Sequence, residues 1–268
     1  APVRLDSDPS ESCLWHDYDH DGDHDLFVLG EHSRLYRFAL DAGQTLSAGF
    51  TQEPFPFGEH GKALDAIAVD LFEDNGLDLV IAYEDAIRVH QDLKLGEYGE
   101  AVEVADSRPS AGRVRLEARD LDSDGFLDVS VSGGDETVIL RNQHGSLTAA
   151  SRVPAVLAWI DTQNRGWSDR LAASGVSFNQ GAMNFSDGNV EGLPSAASAA
   201  AADFNADGRA DLLLIDPQGQ VHLAANQTQT DNRWISLQLS GVKSRIVAAD
   251  ARVEVKAGLL YAKTVYPG

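Results

Sequence analysis

Cysteine is nearly absent. Cys13 stands alone among 268 residues, so no internal disulfide can form, and stability has to come from a packed core or from bound metal. Within Cys13-Leu14-Trp15 the thiol reads as a small buried hydrophobe. No apolar run approaches the roughly 20 residues of a membrane-spanning helix, and the run Ala196 to Ala202 is too short and too weakly hydrophobic. The opening Ala1-Pro2-Val3 carries neither a basic start nor an apolar leader stretch, which fits a processed or excised chain. Basic residues are scarce: 21 stand against 42 acidic ones, for a formal net charge of -21. Such a surface repels nucleic acid and anionic membranes, and suits divalent cations or plain solubility equally. Also missing are a helical hydrophobic period, a G-x-S-x-G nucleophile motif and an H-E-x-x-H zinc motif.

What is present is a repeat. One nine-residue segment occurs five times, as Asp17-Tyr-Asp-His-Asp-Gly-Asp-His-Asp25, Asp70-Leu-Phe-Glu-Asp-Asn-Gly-Leu-Asp78, Asp120-Leu-Asp-Ser-Asp-Gly-Phe-Leu-Asp128, Asp161-Thr-Gln-Asn-Arg-Gly-Trp-Ser-Asp169 and Asp203-Phe-Asn-Ala-Asp-Gly-Arg-Ala-Asp211. Successive starts lie 53, 50, 41 and 42 residues apart, a spacing that belongs to blades or solenoid turns. Short apolar or alternating runs flank the loops. Ala63–Val69 and Arg113–Arg119 precede them; Leu26–Leu29, Leu79–Tyr83, Val129–Ser132 and Leu212–Ile215 follow. A third run recurs as Ile87–His90, Val138–Arg141 and Val221–Ala224. Each unit therefore reads strand, acidic loop, strand, turn, strand, and a weaker fourth strand, which predicts an all-β propeller of four-stranded antiparallel blades. The small residues Ala196 to Ala202 fit an innermost strand with little room around it.

Carboxylates at loop positions one, three, five and nine converge on one hard cation if the chain curls tightly. Position six must then accept a positive φ, where glycine costs least and asparagine is tolerated. Gly22, Gly125, Gly166 and Gly208 stand there, with Asn75 in the second copy. The carbonyl of position seven and water would complete a calcium shell. An EF-hand needs a Glu at position twelve and flanking helices, whereas Val28, Val131 and Leu214 stand there in strand-like sequence; it is rejected.

The copies differ in quality. The first loop offers Asp17, Asp19, Asp21 and Asp25; the third Asp120, Asp122, Asp124 and Asp128; the fifth Asp203, Asn205, Asp207 and Asp211. These three are expected to hold Ca2+. Phe72 at position three leaves the second loop with Asp70, Asp74 and Asp78, a weak or absent fourth site. In the fourth, Arg165 is expected to put its guanidinium where the ion would sit, paired with Asp161 and Asp169. Solvated turn residues are the alternative for any single copy, and repetition in one register argues against it.

The loops with their trailing strands, as in Asp203 to Ile215, resemble FG-GAP/VCBS repeats, the units of integrin-α-like propellers. The resemblance spans Leu14 to Gln227. The tail, Asn232 to Ser244 followed by Ala251 to Gly258, is similar to the start of an ASPIC/UnbV segment, which follows such repeats in bacterial proteins and in the cartilage acidic protein group. It implies a propeller over residues 1–228, a short β segment over 229–268, and a secreted, extracellular or periplasmic setting. Five loops are fewer than the seven blades usual in integrin-like propellers. A degenerate blade, a truncated chain, or closure by Val3–Leu5 with Trp234–Leu239 would each account for that.

A calcium-stabilised module that binds protein or glycan, or serves assembly, is the leading expectation, more so than an enzyme. A polysaccharide lyase or hydrolase domain is the alternative. A sugar-binding propeller using Trp15, Trp159, Trp167 or Trp234 as platforms is another, although these tryptophans read as core. His16, His20 and His24 are expected to point outward from a curled loop. Oligomeric state is not legible in the sequence.

Overall fold

A computed structural model describes residues 4–5, 7–39, 49–58, 60–188, 190–235, 237–240, 252–257 and 260–265. Among the described residues every regular element is a strand. The first sheet comprises β1 (Ser12–His16), β2 (Asp25–Leu29), β3 (Arg34–Phe38) and β4 (Phe50–Glu53) in that order. The second comprises β5 (Ala63–Val69), β6 (Asp78–Tyr83), β7 (Ile87–His90) and β8 (Val102–Val104). The third comprises β9 (Arg115–Arg119), β10 (Asp128–Gly133), β11 (Glu136–Gln143) and β12 (Ser146–Pro154). The fourth comprises β13 (Val156–Ile160), β14 (Asp169–Ala172), β15 (Gly175–Asn179) and β16 (Phe185–Asp187). The fifth has three strands, β17 (Ser198–Ala202), β18 (Asp211–Ile215) and β19 (Val221–Ala224); β20 (Arg252–Ala257) and β21 (Leu260–Val265) form a hairpin in the tail. Neighbours pair antiparallel, as in Leu14↔Phe27 and Ala201↔Leu212. In each of the first five sheets the acidic loop joins the first strand to the second.

The chain divides into two compact units, one of residues 1–118, 128–134 and 138–151, the other of 119–127, 135–137 and 152–268. In the first unit β6 and β7 are buried along their whole length, which explains why Leu79 to Tyr83 is a continuous apolar run instead of an alternation. Phe27, Leu35, Phe57, Leu79, Ile81 and Tyr83 form the centre of that core, each such side chain contributing about 1.5–3 kcal/mol by leaving water. In the second unit Ile160, Leu171, Val176, Leu212 and Leu214 pack together.

Several expectations need correcting. Period two in β1 turns Leu14 and His16 inward and Cys13 and Trp15 outward, so Cys13 is exposed and Trp15 is 52% exposed. His16 is buried and shares a 2.8 Å hydrogen bond with the Tyr98 hydroxyl. Trp159 is core, but Trp234 is exposed and covers Gly208, where a Cβ would collide with the indole. Within Ala196–Ala202 a strand forms over Ser198–Ala202, yet Ala200 to Ala202 are exposed, so crowding does not account for their size. Val3 of the suggested closing strand, and much of the 232–258 segment, lie outside the described residues.

Candidate metal centres

The five loops share one backbone. Position six has positive φ in every copy: Gly22, Asn75, Gly125, Gly166 and Gly208 lie between 63° and 100°. Position four does too, with His20, Glu73, Ser123, Asn164 and Ala206 between 51° and 62°. The second set was not foreseen, because these five side chains have nothing in common. The curl is held by local hydrogen bonds. The position-six N–H donates to the position-one carboxylate in Gly22→Asp17 (3.4 Å), Gly125→Asp120 (3.1 Å), Gly166→Asp161 (2.6 Å) and Gly208→Asp203 (2.8 Å). The position-seven N–H donates to position five at 2.8–3.0 Å in Asp23→Asp21, Gly76→Asp74, Phe126→Asp124 and Arg209→Asp207.

Position nine has a second task. Asp25, Asp78, Asp128 and Asp169 are fully buried, and Asp211 is nearly so. One oxygen accepts the position-two N–H, from Tyr18, Leu71, Thr162 and Phe204 at 2.8–3.1 Å. The other accepts an N–H just beyond the third strand or at its end, from Phe38, Asp92, Asn142, Asn179 and Asn226 at 2.7–3.0 Å. This carboxylate ties loop, second strand and third strand together in the first, second, fourth and fifth sheets. Burial raises the Asp25 carboxyl and pushes Asp78 up to about 6, against those N–H donors.

Among the described residues two carboxylate triads come together. In Asp17, Asp19 and Asp21 one oxygen from each lies within 4.8 Å of the others, and the same holds for Asp120, Asp122 and Asp124. In the third loop Asp120 is 7% exposed; its Oδ2 accepts the Gly125 N–H, while Oδ1 is buried with no hydrogen-bond partner. Burial, with Asp124 and Asp122 beside it, pushes the Asp120 carboxyl up to about 6. An orphaned buried carboxylate oxygen in an all-oxygen triad is what a hard cation satisfies. In the first loop Arg37 of β3, unnoticed in the sequence, meets Asp19 closely and Asp21 at 3.4 Å.

The other loops carry cationic side chains or lack ligands. Arg165 donates to Asp169 at 2.9 Å, while Asp161 takes the Arg165 backbone N–H at 3.0 Å. In the fifth loop Arg209 pairs with Asp207 at 2.6 Å, and the Asp203 and Asn205 side chains are exposed. In the second, Phe72 leaves the loop and packs against Gly145.

A further set of residues recurs beside the loops. Asn142, Asn179 and Asn226 each donate through Nδ2 to the position-two carbonyl of the preceding loop, Leu71 (3.0 Å), Leu121 (2.9 Å) and Thr162 (2.9 Å). Each Oδ1 accepts an N–H two or three residues on, at 2.8–3.0 Å. Asp92 stands in that place in the second sheet and pairs with His20 at 3.0 Å. The signal was present in the sequence as a threefold Asn-Gln pair, at 142, 179 and 226.

No family model matches the chain, and no curated protein matches it. Among solved structures it resembles one described as the basis of specific recognition of non-reducing terminal N-acetylglucosamine by an Agrocybe aegerita lectin, with TM-score 0.52 and 17% identity over 81% of this chain and 67% of the lectin's. At that identity the likeness is one of fold, in keeping with an all-β, multi-blade, propeller-like arrangement of sheets.

Proposed function

We propose that this chain is a non-catalytic recognition module, a propeller of the FG-GAP/VCBS type with an ASPIC/UnbV-like tail. It holds Ca2+ in its acidic loops and binds glycans outside the cell or in a periplasm. The observation that carries the calcium reading is the third loop, whose Asp120 Oδ1 is buried and orphaned within a triad of oxygen donors. Asp120, Asp122 and Asp124 would hold one ion and Asp17, Asp19 and Asp21 another. The fifth loop comes next and the second last. Bound calcium supplies charge neutralisation that fixes the loop; the loops' own hydrogen bonds bring the donors into place beforehand. Sites with three carboxylates and partial burial suit the roughly 10⁻⁴–10⁻³ M affinities of extracellular modules. Glycan as the partner class rests on the fold likeness to a lectin, together with an acidic surface that disfavours anionic partners.

Calorimetric titration of chelator-stripped protein with calcium tests the first part. Heats from at least two sites are expected, with the stronger lost in Asp120→Asn. A silent titration overturns it. An array of neutral glycans tests the second part.

A further inference from the structure

Sheets meet in the same way in both compact units. In the first unit Leu14, Phe27 and Leu35 of the first sheet share a core with Ala66, Leu79 and Ile81 of the second. In the second unit Ala158, Leu171 and Val176 of the fourth sheet share a core with Ala199, Leu212 and Leu214 of the fifth. These are equivalent places in the repeat. Leu14 and Ala158 stand three residues before their acidic loop, and Phe27 and Leu171 two residues after it. Leu35 and Val176 stand three residues before Phe38 and Asn179, whose N–H groups meet the position-nine carboxylate. Ala66 and Ala199 stand four residues before the loop; Leu79 and Leu212 follow it by one residue, Ile81 and Leu214 by three. Each contact thus joins a receiving face on one sheet to an offered face on the next.

The fifth sheet has a receiving face of its own. The equivalent residues are Ala200, Leu213 and Leu223, directly opposite one another in register and so on one side of the sheet. Ile215 and Val221 are paired beside them on that side. Leu223 is 63% exposed, Val221 65% and Ile215 41%, with Ala200 exposed as well. The first sheet has an offered face. Its equivalent residues are Cys13, Leu26 and Val28, with Trp15 opposite Leu26. Cys13 and Trp15 stand open to water. All these side chains are uncharged, on a chain with a net charge of -21, and a contiguous apolar patch on such a surface marks an interaction site.

We propose that the first sheet of one copy of this chain docks on the fifth sheet of a second copy, continuing between molecules the contact that joins sheets within each unit. A second copy is the occupant because it presents the offered set at the places in the repeat that Ala66, Leu79 and Ile81 fill in the second sheet. The sizes match too: Trp15 protrudes from the first sheet, and Ala200 and Ala202 leave room on the fifth, which gives a reason for small residues on an exposed strand. The two faces differ, so the contact is head to tail. Every associated pair keeps one open face of each kind, and growth continues to a ring or an open chain. This assembly depends on neither the calcium nor the glycan reading.

Sedimentation velocity across the micromolar range compares the full wild-type chain with Trp15→Glu and Leu223→Glu. Both side chains are more than half exposed, so the melting temperature should not change. The wild-type chain should associate past the dimer as concentration rises, and each variant alone should stay monomeric. An equimolar mixture of the two variants should form a heterodimer and stop there, because one keeps the receiving face and the other the offered face. If either variant melts below the wild type, a bulky maleimide on Cys13 replaces Trp15→Glu, and Val221→Glu replaces Leu223→Glu. A wild-type chain that stays monomeric throughout overturns the proposal and leaves the fifth sheet to another occupant. Association that survives both substitutions overturns it as well, as does a mixture in which the two variants remain apart.

Discussion

Asp211 shows how much one side chain does in this architecture. Its two oxygens take the Phe204 N–H at 3.1 Å and the Asn226 N–H at 2.7 Å, at 1% exposure. Asp211→Asn turns an amide group toward one of these donors, so one charge-assisted bond is lost and one N–H is left buried. A loss of about 3 kcal/mol is expected, read by chemical denaturation in excess chelator so that calcium plays no part. A loss under about 0.5 kcal/mol would mean that this carboxylate is not the tie. His90 makes a second prediction, about pH. Its value of about 4 in the fold lies below the ordinary 6.5, so between those limits the unfolded chain binds more protons and stability falls as pH drops. The shift corresponds to about 3 kcal/mol across the window. Asp78 and Asp120, raised to about 6, act in the opposite direction, because they take up protons more readily in the fold. The histidine is isolated by comparison with His90→Leu, whose stability relative to the wild-type chain should rise steadily from pH 6.5 to 4. A constant difference would contradict the buried neutral imidazole.

Strands and loops are joined by elements that repeat, and the asparagines are the least visible of them. Asn142 and Asn179 are fully buried and Asn226 is half-buried. Asn179→Ala removes the bonds to the Leu121 carbonyl and from the Gly181 N–H and should cost about 2–4 kcal/mol, with Asn226→Ala costing less because water reaches it. Thermal melts of the two variants test the order, and the reverse order would refute it. The strands themselves were legible, since β5, β7 and β19 match the expected runs residue for residue. The acidic loops were legible because glycine and carboxylate spacing encode a curl directly. Other features were not, for physical reasons. The positive φ at position four is borne by His20, Glu73, Ser123, Asn164 and Ala206, so no residue type marks it. Arg37 reaches the first triad from β3, two strands after the loop's start, and only pairing of β2 with β3 brings it there. Cys13 and Trp15 read as core by apolar type, whereas the period-two pattern of β1 turns both outward.

At the scale of the molecule, the question is whether calcium holds the fold or merely decorates it. The first, fourth and fifth loops are already closed by hydrogen bonds both from position six to one and from two to nine. The fourth copy, with Gln163 and Arg165 in place of ligands, has the same curl. Calcium is therefore not needed to shape a loop. On the calcium reading proposed above, an ion would relieve crowded carboxylates and add to stability only by preferring the folded chain. One triad lies in each compact unit, Asp17 to Asp21 in the first and Asp120 to Asp124 in the second, so on the calcium reading proposed above each unit would gain stability from its own ion. At free calcium about a hundredfold above the dissociation constant, each site adds roughly 2.7 kcal/mol. Excess chelator should accordingly lower the melting temperature by several degrees without abolishing the β signal in circular dichroism. Asp120→Asn should remove a large part of the calcium-dependent shift, and Arg37→Gln should enlarge the remainder, because no guanidinium then competes for Asp19 and Asp21. A melting curve that is the same in calcium and in chelator would reduce all five loops to hydrogen-bonded turns.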